Sequence, residues 1–282
     1  MEISAADVKK LREKTGAGMM ECKNALVNTE GDFAKAEKLL KEKGLAAVEK
    51  RAGRATNEGK IFIKIKDKTA VLVELASETD FVARNPEFIA LGGDITGRIL
   101  EKGYTEPNDE LNGMVSDLAT KIRENLGLKR IRVVKADAHE YVTQYIHGDG
   151  AIGVVVKMGA DKEGIYAGEE AQAFAFTLAL HIAAFNPLAL DKSKVDPVFL
   201  KEQEDIFRKQ LEGDDKLTGK PPQVLDNILK GKINKYLADI CLLDQGYVKD
   251  EKVTVAQALA DCGKQLGAKL TVNDFVYFKV GQ

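Results

Sequence analysis

After residue 59 the apolar residues of this chain change their period, and that change decides what the chain can fold into. Ile61, Ile63 and Ile65 alternate with Lys60, Phe62, Lys64 and Lys66. A period of two belongs to a strand, and the helical spacing that precedes it cannot occupy the same segment. Asp67-Lys68 turns the chain and Val71–Leu75 continues the pattern. The expectation is a β-hairpin, half buried, with a basic outer face.

The first fifty residues read as three short helices. Ser4 precedes Val8 and Leu11 on one face, with Asp7 three residues on as in a capping box. Thr15-Gly16 ends that helix. A second starts after Gly18 and carries Met19, Cys22, Ala25 and Leu26. Gly31-Asp32 breaks again, and Asp32 caps a third helix with Phe33, Ala36, Leu39 and Leu40. This bundle, residues 1–54, buries only a modest core. Gly44–Gly59, rich in Ala, Gly and charge, reads as a helix tail running into a linker.

Past the hairpin, Asn85-Pro86 opens a helix with Phe88, Ile89, Ile95, Ile99 and Leu100, weakened at Gly92-Gly93. A further helix over 111–126 and a strand over 131–134 complete a first core half, residues 55–140. Residues 141–282 repeat the theme. Strands over 142–146 and 152–156 flank the turn His147-Gly148-Asp149-Gly150, and a helix covers 171–185. Phe81-Val82-Ala83-Arg84-Asn85-Pro86 is faintly echoed by Ile182-Ala183-Ala184-Phe185-Asn186-Pro187, which suggests an internal duplication. Two amphipathic helices within about 197–242, one with Leu200, Phe207 and Leu211, the other with Leu225, Leu229, Ile233 and Tyr236, form an antiparallel coiled-coil arm. They join through a break at Gly213–Pro222. Thr254 caps a short helix over 255–266, and a strand over 275–280 ends the chain. The fold class is α+β: a helical bundle, then a duplicated core of small antiparallel sheets with flanking helices and an inserted arm.

Composition narrows the function. Lys and Arg number 42 against 44 Asp and Glu, a net charge of -2, which disfavours nucleic acid as the partner. Cys22, Cys241 and Cys262 are far apart, so neither a zinc site nor a disulfide framework is expected, only the reduced thiols of a cytoplasmic protein. The N-terminus lacks the apolar core of a secretory leader. The apolar stretch around 173–185 is too short to span a membrane and is interrupted by His181. No HExxH, nucleophile elbow or P-loop occurs. Thr15-Gly16-Ala17-Gly18 has the look of a glycine-rich turn but follows no strand and lacks the P-loop lysine. His181, on an apolar helix, reads as a core histidine. The expectation is a binding protein and not an enzyme, with no catalytic residues, metal or cofactor.

Two features resist a purely structural account. Met19 and Met20 point about 100° apart on a helix, so a narrow bundle cannot bury both. Phe81 is a large aromatic in a polar turn, Thr79-Asp80-Phe81, just beyond a strand. It either caps the local core or anchors a partner, and the residues alone leave both open.

At these two places the sequence resembles the elongation factor Ts family. Leu11-Arg12-Glu13-Lys14-Thr15-Gly16-Ala17-Gly18-Met19-Met20-Glu21-Cys22-Lys23-Asn24-Ala25-Leu26 is similar to the family's N-terminal signature, and Glu78-Thr79-Asp80-Phe81-Val82-Ala83 to its second. His147-Gly148 before Ile152-Gly153-Val154, the arm and the final strand fall in the family's order, so the likeness covers nearly the whole chain. It implies a ubiquitin-associated-like bundle that docks on the GTP-binding domain of elongation factor Tu through Leu11, Met19 and Met20. It implies that the loop of Thr79, Asp80, Phe81 and Val82 enters beside the nucleotide, where Phe81 wedges the GTPase open, dislodges the groups that hold Mg²⁺ and promotes GDP release. It places His147, in the second core half, against another domain of the partner. Many members continue past the last strand into a helical module, whereas this chain stops at Gln282, a difference that bears on G-domain contact and not on the wedge. Two other readings remain: a passive adaptor that binds through the bundle alone, and a hydrolase with an acid pair formed by folding.

Overall fold

A computed structural model describes residues 3–214, 217 and 220–282. The helical period does produce three helices: α1 (Ala5–Thr15), α2 (Met19–Asn28) and α3 (Phe33–Arg51). Ser4 Oγ accepts the Asp7 N–H at 3.1 Å, and Gly16 ends α1 at φ 69° with its N–H on the Arg12 carbonyl. Val8, Leu11, Cys22, Ala25, Leu26, Ala36 and Leu40 close the core of the bundle.

α3 runs seven residues beyond Gly44, as the helix tail expected there, before the chain reaches β1. Tertiary packing holds it there. Gly44 lies so close to Thr120 that a Cβ would sit 2.2 Å from its Cγ2, and Val48 packs on the neighbouring core. The Arg51 guanidinium donates to the Ala119 carbonyl at 3.3 Å.

The chain divides into two compact units, 1–133 with 146–153 and 278–282, and 134–145 with 154–277. In the first, β1 (Glu58–Lys66), β2 (Thr69–Ser77) and β3 (Leu126–Lys135) form a sheet in that order. The register of β1 on β2 runs from Glu58 opposite Ser77 to Lys66 opposite Thr69. Asp67 and Lys68 take positive φ, 47° and 63°, the geometry that suits a two-residue hairpin turn. The short helix α4 (Asp80–Ala83), α5 (Pro86–Lys102) and α6 (Asp109–Ile122) follow. Their buried residues Val82, Phe88, Ile95, Ile99, Leu111 and Leu118 share one core with Val71, Val73 and Leu75.

Only β1 of the hairpin is half buried, with Lys64 and Lys66 exposed on it as the basic face expected. β2 is the middle strand and is buried over nearly its whole length, and Lys60 on β1 is buried as well. Gly92-Gly93 does not interrupt α5. Gly92 is where the Phe62 ring lies, and a Cβ there would come within 2.3 Å of Phe62 Cζ. α6 stops at Ile122, earlier than its apolar pattern suggested, because Arg123 takes the left-handed conformation at φ 65° and β3 begins at Leu126.

Centred on the second unit, β4 (Glu140–His147), β5 (Ile152–Ala160) and β8 (Leu270–Lys279) make the second sheet; α7 (Glu169–Phe185) follows β5, and α10 (Val255–Leu266) precedes β8. A small ladder of β6 (Gly246–Tyr247) and β7 (Asp250–Thr254), unsuspected from the pattern, precedes α10. Between α7 and β6 the chain runs out and back as α8 (Pro197–Glu212) and α9 (Pro222–Ile240). Tyr236 of α9 packs its ring against Phe199 and Phe207 of α8, 6.4 and 5.6 Å away. Part of the Gly213–Pro222 connection lies outside the described residues.

Both halves of the core thus read strand, strand, helix, helix, strand, with the arm inserted before the last helix of the second. The short echo does not mark equivalent places, however. Asn85 opens α5, while Asn186 ends α7 at φ 44°. Among the described residues no helix is long and apolar enough to cross a membrane.

Candidate functional site

Phe81 is 82% exposed, although the residues on its C-terminal side, Val82 and Ala83, are buried in the core. The difference follows from local geometry. α4 is a single helical turn whose Val82 face points inward, and consecutive helical side chains diverge by about 100°. The segment expected as a loop is therefore a capped helical turn. Thr79 Oγ1 accepts the Val82 N–H at 3.4 Å.

Side chains distant in sequence brace this turn. Thr79 donates its N–H and its hydroxyl to the two oxygens of Glu124, at 3.1 and 2.8 Å. Ser77 Oγ donates to the Thr79 carbonyl at 2.9 Å. The adjacent Glu78 carboxylate accepts the Asn125 N–H at 2.6 Å and pairs with Arg54 at 3.3 Å. Asp80 pairs with Arg84 one turn on at 3.3 Å. Glu124 and Asn125 were not singled out in the sequence, because nothing in one sequence links position 79 to position 124.

His147 is exposed at the end of β4 and belongs to the same compact unit as Phe81. The turn after it takes left-handed backbone at Gly148, Asp149 and Gly150, with φ of 59°, 55° and 93°. Lys60 Nζ donates to the Asp149 carbonyl at 2.6 Å and stands 2.6 Å from Oδ2 of its carboxylate. The hydrogen bond and charge of Lys60, then the charge of Arg84, hold the Asp149 carboxyl below its ordinary value of 3.8.

In the bundle Met19 is 43% exposed and Met20 64%, whereas Leu11 is fully buried. Leu11, like Val82, shapes its surface from beneath. Val27, exposed on the same helix and seven residues from Met20, extends the apolar face and was missed because it reads as an ordinary core residue. Around the Gly44 and Val48 packing, polar contacts also join the bundle to α6 and its C-cap: Arg123 to Glu21 at 2.5 Å and Lys41 to Asp117 at 3.4 Å. They border a cleft of about 530 Å³ whose lining includes none of Thr79–Val82.

The buried ionisable groups elsewhere are engaged in structure. Glu74 accepts the Arg130 Nε–H at 2.6 Å and the Gly281 N–H at 3.0 Å. His181 is a core residue: it stacks on Phe185 with centroids 4.5 Å apart, and its Nε2 lies 3.0 Å from Gln245 Oε1. Burial lowers its pKa, against the opposing effect of Gln245. Among the described residues no three His, Cys, Asp or Glu side chains are grouped to hold a metal ion.

The model of the family described as elongation factor TS matches residues 78–282. Curated relatives align over the whole chain. One from Treponema denticola, named elongation factor Ts, is 50% identical over 281 residues, covering 100% of this chain and 99% of its own. One of the same name from Treponema pallidum is 42% identical with the same coverage. A third, from Borrelia garinii, is 41% identical and covers 99% of each chain.

Proposed function

The chain belongs to the elongation factor Ts family, a family of translation elongation factors, and from that footing we propose that it speeds GDP release from elongation factor Tu in the cytoplasm by binding alone, without covalent chemistry of its own. Phe81 is the observation that carries this reading. A ring 82% exposed costs solubility and contributes nothing to its own core. Held on a braced turn, it is available to enter another protein at little entropic cost.

The physics needs no catalytic group. Mg²⁺ in a nucleotide site demands near-octahedral geometry, so displacing one of its supports weakens it sharply and leaves the diphosphate less neutralised. Coupling is reciprocal: a factor that weakens GDP is itself weakened by GDP. A 10⁴-fold effect requires about 5.5 kcal/mol of differential interaction. Burying one phenylalanine supplies roughly 1.5–3 kcal/mol. Further contacts must therefore contribute, and Met19, Met20 and His147 are the exposed candidates. A passive adaptor built on the bundle alone has less support, because α3 is packed into the core through Gly44 and Val48.

The test is stopped-flow release of fluorescent GDP from elongation factor Tu. Phe81→Ala should fold normally and lose most of the acceleration. Wild-type acceleration by a folded Phe81→Ala protein would overturn the proposal.

A further inference from the structure

Lys60 alternates with Ile61 and so belongs by pattern to a solvent face, yet it is 7% exposed. The topology explains why. β1 is an edge strand, and its free side is covered by the turn that follows His147. The Ile61 N–H donates to the Gly150 carbonyl at 2.8 Å. Gly153 comes so close that a Cβ there would lie 2.4 Å from Ile61 Cγ2. Within this contact the Lys60 ammonium holds both the carbonyl and the carboxylate of Asp149.

An ammonium in such a place is costly unless fully paired, and for stability alone an apolar side chain would serve as well. What an apolar side chain would not do is tie down Asp149, which sits at φ 55° in an exposed turn and is held there by its carbonyl and its carboxylate together. Asp149 also feels Arg84, which is paired with Asp80 beside Phe81. From β1 the register leads to the same place: Glu58, two residues from Lys60, lies opposite Ser77, whose hydroxyl holds Thr79. One cation therefore holds the turn bearing His147 to the strand whose register runs on to the turn bearing Phe81.

We propose that Lys60 is a positioning residue, which fixes the His147–Gly150 turn against the edge of β1 so that His147 and Phe81 meet the partner as one rigid surface. The inference rests on the exchange function proposed above. Rigidity matters because two contacts that move independently can each bind without forcing the partner apart. Joined, they resist being accommodated one at a time and transmit strain to the nucleotide site.

The experiment uses the full chain and fluorescent GDP release from elongation factor Tu, titrated to saturation, with Lys60→Met, Lys60→Arg, Asp149→Asn, His147→Ala, Phe81→Ala and the Lys60→Met/His147→Ala pair. Lys60→Met should lower the plateau release rate by on the order of tenfold, within the usual range of coupling between sites. The half-saturating concentration should change less than about twofold, since the individual contacts remain. Lys60→Arg should restore most of the plateau. His147→Ala should slow release in the native background and add little in the Lys60→Met background, a non-additivity that a merely structural lysine would not produce. Should Lys60→Met fail to fold, Asp149→Asn, which keeps the main-chain acceptor, is expected to show the same plateau loss and the same non-additivity with His147→Ala. A wild-type plateau in the folded variant, or strictly additive losses, overturns the inference while an impaired Phe81→Ala leaves the exchange function standing. Wild-type rates for Phe81→Ala as well would overturn both.

Discussion

Thr79 gives both its N–H and its hydroxyl to one carboxylate, that of Glu124, 45 residues further along the chain. This pair fixes the point at which the sheet hands over to the turn that displays Phe81. It makes the exposure of the ring a property of the folded core and not of a floppy loop.

Glu124→Ala should therefore slow GDP release from elongation factor Tu without touching the partner. Two part-buried donors on Thr79 lose their acceptor, which should also lower stability by about 1–3 kcal/mol. Chemical denaturation and stopped-flow release on the same preparation check both effects. An unaltered release rate alongside lowered stability would show that the brace does not matter for exchange.

Met20 and Leu11 should separate binding from folding. Met20→Asp changes an exposed side chain, so the melting temperature should hold while complex formation weakens in calorimetry. Leu11→Ala empties a fully buried site and should cost about 2–5 kcal/mol of stability. The reverse pattern would remove Met20 from the docking surface.

Gly92 and Gly93 are neighbours on α5 with opposite expectations. Gly92→Ala drives a methyl into the Phe62 ring and should destabilise by about 1–3 kcal/mol. Gly93 has open space around its missing Cβ, so Gly93→Ala should stabilise by roughly 0.5–1 kcal/mol through helix propensity. Paired denaturation curves decide it.

Stability should fall as the pH drops below about 6.5. Burial holds the folded His181 pKa below its ordinary 6.5, so on acidification the unfolded chain takes up a proton that the native protein resists. The contribution is intact above 6.5 and is lost progressively towards the lower, native value. His181→Gln should flatten the melting temperature between pH 7.5 and 5.5. An unchanged slope would place the titrating group elsewhere.

Much of the architecture was legible in the residues because its causes are local. Ser4, Asp32, Asn85 and Thr254 each cap the helix they precede, since a short oxygen side chain meets the free N–H groups two or three residues on. Asp67-Lys68 turns the hairpin where the alternation stops. Other features misled for want of context. The basic face ascribed to β1 includes a buried Lys60. Arg123 ends α6 in a conformation that no glycine announced.

The residues by themselves determined the long helices and the main strands, the duplicated order of the core and the presence of Met20 and Phe81 at places where an apolar side chain is unexpected. Those follow from periodicity and capping, which act over a few residues. Only the tertiary structure decided that Phe81 faces solvent while Val82 does not, that Glu124 holds Thr79, and that Lys60 reaches Asp149 across 89 positions. Such pairings depend on how sheets and helices stack, and no spacing within a single sequence encodes a distance between residues that only the finished core brings together.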